Sequence, residues 1–500
     1  MTSELPEAEA HHPEPQPDYG KGLAWTMGFN ALMKIVLGVV GIYIARRLGP
    51  AQMGVFGLLA SIYMFAEQMR EAGLKQAFYN DTSITPIRFR TYARLSVISG
   101  VTFGLILSLL SRPLAVFFGM PEVAWSVVWA AFATFLNGLS VIPMAALHKS
   151  GRFRDVGLIE TASNFLAAAV SLTLVILGWG FEALVAQLVV RAGVQLAVAF
   201  WQKPYSILNH DRKAARAIMR VCTPLVATDM LWLFYSLADQ FAIVKILGSK
   251  FGEIFTQNAN GFYQQGKKTI GIPTDFLFFP LLRTVAVAIG NRSADRQHLA
   301  STFMKAICLS VLLLASVFGA CAALGRPLIL ALYTYKFAGT IPIFGIICLG
   351  EAFKLTGTFA GSALVAAGRS KIPLIAWLMP YPIAVAGILF SWQHISLLAI
   401  VWSYVSGMIA VNVVVIAAGF IVLRVDRVQL SRFWECVTIA ATTTLVAYGI
   451  SFIHLRPWPL ILLAGCVLPA FHVGIIGTVF ARNPLEYFCR AGPEKLRDAL

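Results

Sequence analysis

Fourteen apolar stretches, each close to the length of a membrane-crossing helix, follow one another between residues 23 and 481 of a 500-residue chain. A helix that spans a bilayer takes about 20 mainly apolar residues, because every backbone amide and carbonyl must be satisfied inside the segment once water is excluded. A chain that spends most of its length this way has little left for a soluble catalytic lobe. Composition agrees: 58% of the residues are hydrophobic and 13% charged, against roughly 45–50% and 25% in soluble proteins. The expectation is an all-α polytopic membrane protein with about 14 transmembrane helices.

The chain carries 40 Lys+Arg against 24 Asp+Glu, a net charge of +16. Placement decides what this excess means. Cations crowd the even-numbered connections and the tails, as at Arg88, Arg90 and Arg94, at Lys149, Arg152 and Arg154, and at Arg212, Lys213 and Arg216. The odd-numbered connections hold only Arg46, Arg47, Arg112, Lys245, Lys250, Arg326, Lys336 and Arg456. Lys and Arg in short loops stay on the cytoplasmic side, so this sorting puts both termini in the cytoplasm. The excess is a topology signal, and a nucleic-acid partner is discarded.

Residues 1–22 are acidic and proline-rich and lack the basic start of a secretory signal, so they are expected to form a disordered cytoplasmic tail. Residues 482–500 form a second tail. The seven cysteines (222, 308, 321, 348, 436, 466 and 489) lie mostly in apolar runs without CxxC spacing, as small buried hydrophobes do. No cofactor or metal is expected. Gly261 to Thr269 nearly spells a phosphate-cradling loop, but Lys268 separates Lys267 from Thr269, and the Ser/Thr must follow the Lys directly to reach Mg²⁺. Gly178-Trp179-Gly180 imitates a dinucleotide fingerprint, yet it falls in a tight turn between spans.

Two echoes join the halves of the chain. Arg47-Leu48-Gly49-Pro50, then Gly54-Val55-Phe56, resembles Ile246-Leu247-Gly248-Ser249, then Gly252-Glu253-Ile254-Phe255; Ala145 to Ser150 resembles Val365 to Ser370. Both pair spans six apart, and an even offset keeps the repeats parallel in orientation. The expected organisation is an N-lobe of six spans (23–203), a C-lobe of six spans (204–423), and two appended spans (424–481).

Ionisable groups inside spans cost several kcal/mol unless paired or hydrated, so each is by default a functional candidate. Asn30 and Lys34 share a face of span 1, and Glu160 and Asn164 share one of span 5. Span 6 carries Arg191. Span 7 carries Asp229 and Asp239 with Trp232 and Tyr235 between them, and span 8 carries Lys267 and Lys268 with Tyr263 nearby. In span 10, Glu351 and Lys354 stand three apart, where mutual neutralisation competes with a functional role. Lys34, Arg191 and Asp229 have no opposite charge nearby in sequence, which points to a central aqueous cavity. Glu67, Arg70, Glu71 and Lys75 read as a wetted helix end.

The run Ala45-Arg46-Arg47-Leu48-Gly49-Pro50, Gly54 and Phe56, followed by Glu71-Ala72-Gly73-Leu74, resembles the opening of the bacterial polysaccharide (lipid-linked oligosaccharide) flippases of the MATE-like MOP superfamily. Ile142-Pro143 through Leu147, then Gly151-Arg152-Phe153, is similar to their span 4 exit. Leu237 to Gly248, Gly261-Phe262-Tyr263 with Pro273 and Pro280, and Ala366 to Lys371 continue the likeness in order. The resemblance implies a V-shaped bundle of two parallel six-helix repeats plus two C-terminal helices. It implies a non-enzyme that moves a polyprenyl-pyrophosphate-linked oligosaccharide across the bacterial inner membrane by alternating access. On that reading Lys34, Arg191, Lys267, Lys268 and Lys354 pair with the pyrophosphate, and Trp232, Tyr235 and Tyr263 stack on sugars. Asn30, Glu160 and Asn164 add polar contacts, and Asp229, Asp239 and Glu351 are candidates for ion coupling, Asp239 being alternatively structural. The partners implied are the lipid-linked substrate, membrane lipids, and polysaccharide polymerase and export proteins. A lipid II flippase, a cation/drug antiporter, and a membrane polymerase or ligase are the alternatives.

Overall fold

A computed structural model describes residues 19–71, 73–81, 84–202, 211–278, 281–282, 285, 296–369, 371–453 and 455–480. Every regular element among them is helical. The principal helices are α1 (Tyr19–Glu71), α2 (Pro86–Leu109), α3 (Val123–Lys149), α4 (Phe153–Ile176), α5 (Glu182–Gln202), α6 (Arg212–Ala242) and α7 (Glu253–Pro273). After them come α8 (Arg296–Ser310), α9 (Thr340–Ala366), α10 (Pro380–Phe390), α11 (Leu397–Val422), α12 (Arg427–Ser451) and α13 (Pro457–Phe480).

Ten helices among the described residues are long and apolar enough to cross a membrane. Two of the fourteen windows share α1, which breaks at Gly49 (φ 77°, ψ 176°). A residue before proline avoids helical backbone, and only glycine takes this φ without penalty, so Gly49-Pro50 turns one long element into two. By contrast α7 carries Gln257, Asn258, Asn260, Gln264, Gln265 and two lysines, too polar to qualify on composition. It is a helix nonetheless, so the near-match to a phosphate loop lies within regular helix.

Local geometry matches between the halves. Gly252, just before α7, adopts φ 81° and ψ 177°, the conformation of Gly49. Helix α3 ends at Gly151 (φ 73°) and α9 at Gly368 (φ 72°). At these ends Arg152 N donates to Leu147 O at 3.1 Å and Arg369 N to Leu364 O at 2.9 Å, the same capping bond. The structure therefore aligns Gly151 with Gly368, three residues away from the register of the sequence echo. A third match went unread in the sequence: Ser111-Arg112-Pro113-Leu114 and Gly325-Arg326-Pro327-Leu328 each open a short helix, Ser111–Phe118 and Gly325–Tyr333.

The second half alone contains π-helical turns among the described residues, at Ile243–Leu247, Thr274–Phe278 and Val311–Ala315. Such turns interrupt the helical hydrogen-bond ladder and recur at functional sites. The third carries α8 on into Ser316–Ala323. The stretch from Gly248 to Asn260 is helical on both sides of Gly252.

Candidate functional site

The part of α1 before Gly49 runs antiparallel to α7, from Lys34 opposite Asp275 to Pro50 opposite Gly261. The part after it turns back along the same helix, from Gly54 at Gln257 to Gly57 at Gln264, and the seam differs at its two ends. Toward Gly49 it is tight. A Cβ on Gly54 would stand 1.8 Å from the Gln257 carbonyl oxygen, and one on Gly261 would stand 1.9 Å from that of Pro50. Asn260 Nδ2 donates to the Gly54 carbonyl at 2.6 Å, and the Ser61 hydroxyl bonds Gln240 on α6. Arg46 donates to the carbonyls of Leu332, at 2.7 Å, and Ala331, capping the last turn of Gly325–Tyr333. Two glycine approaches and buried amide bonds close this end.

Toward the other end the seam is polar. Lys34 on α1 meets Asp275 at 3.1 Å, and both side chains keep about a third of their surface exposed. Asp275 sits in the π turn that follows α7. One heptad away on α7, Lys268 lies opposite Gly41, where an added Cβ would stand 3.0 Å from its Nζ. Lys268 is exposed and has no carboxylate partner among the described residues. Lys34 has no opposite charge nearby in sequence, and its partner Asp275 lies across the fold, where sequence spacing gives no sign of it. Asp275 is an ionisable group inside a span and meets the criterion applied to the others, but it was missed.

A second network surrounds Asp239, whose side chain is fully buried. Its Oδ2 accepts from Lys267 Nζ at 2.8 Å and from the Tyr263 hydroxyl, while Oδ1 accepts the Gln240 backbone amide at 2.6 Å. The Lys267 ammonium also stands 5.0 Å from the Tyr263 ring centre and 5.6 Å from that of Tyr404. Tyr235 donates to the Tyr404 carbonyl at 2.7 Å and stacks on that ring at 4.7 Å. Glu351 is close enough to act electrostatically on Tyr404, and its oxygens accept from Lys354 at 2.9 and 3.1 Å. Tyr404, also missed in the sequence, is the hub of this network.

The two tyrosines expected to face sugars do not. Tyr263 and Tyr235 are buried, the first holding Asp239 and the second stacked in an aromatic cluster. Neither offers a free ring face in this conformation. Asp239 is bound on both oxygens, and Glu351 and Lys354 form a local ion pair at 2.9 Å.

In the first half, Asn137 donates to the Tyr63 hydroxyl at 2.8 Å and to Glu67 at 3.2 Å, and Arg70 pairs with Glu67 at 2.9 Å. Arg70 is only 2% exposed, which corrects its reading as a wetted helix end. Arg191 on α5 acts electrostatically on Tyr63. It is exposed and has no carboxylate partner among the described residues. Asn164 is buried and donates to the Glu160 backbone carbonyl at 2.6 Å, a bond internal to α4. The Glu160 charge reaches Tyr79 and His148 rather than the central pairs. The side chains of Asn30, Asp229 and Trp232 lie outside the described residues.

Two apolar cavities flank the appended helices. One of about 350 Å³ lies between α8 with its continuation, α9 and α12, and is lined by Phe318, Phe353, Phe433 and Val437 among others. The other, of about 360 Å³, adjoins α13 at Ile461, Ala464, Leu468 and His472.

The described residues form a bundle of membrane-length helices with ion pairs buried among them, the architecture of a polytopic membrane protein. The chain belongs to the polysaccharide biosynthesis protein family, whose family model matches residues 43–342. It is 22% identical over 313 residues to the succinoglycan biosynthesis transport protein ExoT of Rhizobium meliloti, covering 62% of this chain and 61% of that relative. The chain thus spans about three-fifths of that relative's length. It is 18% identical over 460 residues to an uncharacterised membrane protein in the cps region of Klebsiella pneumoniae, covering 89% and 88% of the two chains. In fold it resembles the lipid II flippase MurJ in an inward closed conformation, with TM-score 0.71, 12% identity, and 91% and 100% of the two chains covered. It also resembles an inward-facing multidrug resistance MATE family transporter of the MOP superfamily, with TM-score 0.59, 15% identity, and 80% and 98% covered. These likenesses place the chain in that family and show that it shares its fold with the MurJ and MATE structures.

Proposed function

We propose that the protein translocates a polyprenyl-pyrophosphate-linked oligosaccharide across the bacterial inner membrane by alternating access, with both termini in the cytoplasm. On this reading two matched six-helix lobes, 23–203 and 204–423, enclose the headgroup, and residues 424–481 form an appendage. The matched breaks at Gly49 and Gly252 and the matched caps at Gly151 and Gly368 support the repeat.

One observation carries the substrate class. Of the five expected cavity cations, Lys34, Lys267 and Lys354 are matched by carboxylates, whereas Arg191 and Lys268 are exposed without one among the described residues. A cation left unpaired within a membrane span favours an anionic ligand there. A pyrophosphate supplies that charge, and it cannot cross about 30 Å of hydrocarbon unescorted. Lys34, one-third exposed, joins them by exchanging Asp275 for the phosphate. The cavities along α12 and α13 suit an isoprenoid tail, since their lining is almost wholly apolar. The relatives' names agree with this direction, one being a succinoglycan transport protein and one lying in a cps region. A polymerase or export protein would then receive the product in the outer leaflet.

The test is polysaccharide export from cells carrying Arg191→Ala with Lys268→Ala. Export should fall at least about tenfold, the equivalent of losing about 1.4 kcal/mol of binding, with the protein present at its normal level. Unchanged export at normal protein level would refute the reading.

A further inference from the structure

Two acidic side chains from opposite halves converge at the closed end with no cation paired to either among the described residues. Glu122 immediately precedes α3, and Glu253 opens α7 directly after the break at Gly252. The Nε2 of Gln257 donates to Oε1 of Glu122 at 2.9 Å and to Oε1 of Glu253 at 3.1 Å. One amide thus gathers two carboxyls, and the same residue offers its backbone carbonyl to the close approach of Gly54. The gathering point is part of the seam itself.

Two ionised carboxylates held this near repel, and sharing a proton is how such a pair stays together. No neighbouring charge supplies another answer. Lys245 shares a pocket with Glu253, but its ammonium is held by the Phe117 carbonyl at 2.7 Å and lies 4.1 Å from that ring's centre. Lys250 is bound to the Trp392 carbonyl at 2.7 Å. On α1, Arg46 caps Gly325–Tyr333 and Arg47 donates to the Tyr43 hydroxyl. At the start of α5, Glu182 stands with Gln52 beside Gly180. Both side chains are exposed, and the water that Glu253 loses at the seam, followed by the charge and hydrogen bond of Glu122, raises its carboxyl above the usual range.

We propose that Glu122, Gln257 and Glu253 form a proton clasp, which holds the closed end shut while the two carboxyls share one proton and releases it when both are ionised. In the shared state the O–H of one carboxyl donates to the other carboxylate, and Gln257 donates one N–H to each. Loss of that proton to water leaves two carboxylates facing a single amide. A raised carboxyl holds its proton to a higher pH than it would in the unclasped chain. The clasp is therefore complete at low pH and is lost as the pH rises through the raised value. The inference rests on the alternating-access reading only for its role in a cycle; the clasp itself needs no substrate.

The experiment is a distance measurement between spin labels introduced as encoded side chains at Trp125 and Ile254, two exposed positions beside the clasp. It uses the full chain in nanodiscs without substrate. Between about pH 5 and about pH 8 the distribution should shift from short to long. Glu253→Gln and Glu122→Gln, made singly, keep a neutral side chain in place and should hold the distance short at both pH values. An unchanged distribution in the unsubstituted chain, or a shift that persists in both variants, would overturn the clasp. Neither result bears on whether a lipid-linked sugar is the cargo, because no cargo is present.

Discussion

An ammonium group inside a membrane persists only if it is paired or wetted, and the cations of this chain divide along that choice. Lys267 is fixed by Asp239, whose remaining oxygen is also satisfied, so removing the carboxylate leaves an uncompensated charge in a packed site. Asp239→Ala should cost about 3 kcal/mol, the low end for breaking a buried pair because Lys267 keeps a third of its surface. The local, part-exposed Lys354–Glu351 pair should lose no more than about 1 kcal/mol in Lys354→Ala. Thermal unfolding in detergent orders the two variants, and equal costs would contradict the assignment of Asp239 as structural. The candidate list of charged residues was readable from the chain because an ionisable group in an apolar run stands out. The pairing of Lys34 with Asp275 was not readable, since it depends on two helices meeting from opposite halves of the sequence. The burial of Tyr235 and Tyr263 was hidden for the same reason: aromatic spacing does not say whether a ring faces a cavity or Tyr404.

Among the helices, α7 shows how a polar sequence can still occupy a membrane bundle: Asn260 and Gly261 are used against α1 and Gly266 against α9 rather than lipid. Gly261→Ala should destabilise by about 1–3 kcal/mol, as overpacking against the Pro50 carbonyl requires. Gly271, on the same helix, has nothing within 4 Å of an added Cβ, so Gly271→Ala should be neutral or stabilising by up to about 1 kcal/mol. Equal losses in the two variants, read as unfolding midpoints, would show that the tight seam has been misplaced. Apolar periodicity located nearly every helix. The stretch after Gly248 is polar yet helical on both sides of Gly252, and composition alone does not separate such a helix from a connection. The repeat was visible at Gly49 and Gly252, where a backbone conformation demands glycine. It was three residues out of register at Gly151 and Gly368, where only short similarity guided the match, and the Arg-Pro-Leu pair at 112–114 and 326–328 passed unread.

For the whole molecule, the account is that two related halves meet at the α1–α7 seam, close it at one end by glycine contacts, and leave Arg191 and Lys268 uncommitted for an anionic headgroup. The family follows from the match to the polysaccharide biosynthesis protein model and the fold is shared with MurJ; the cargo is the central claim. It is tested most directly by reconstituting the purified protein in vesicles loaded with a fluorescent polyprenyl-pyrophosphate oligosaccharide and measuring the fraction exposed on the opposite leaflet with time. The account expects protein-dependent transfer that is lost in the Arg191→Ala, Lys268→Ala double variant. No transfer above protein-free vesicles, or equal transfer by the double variant, would contradict it.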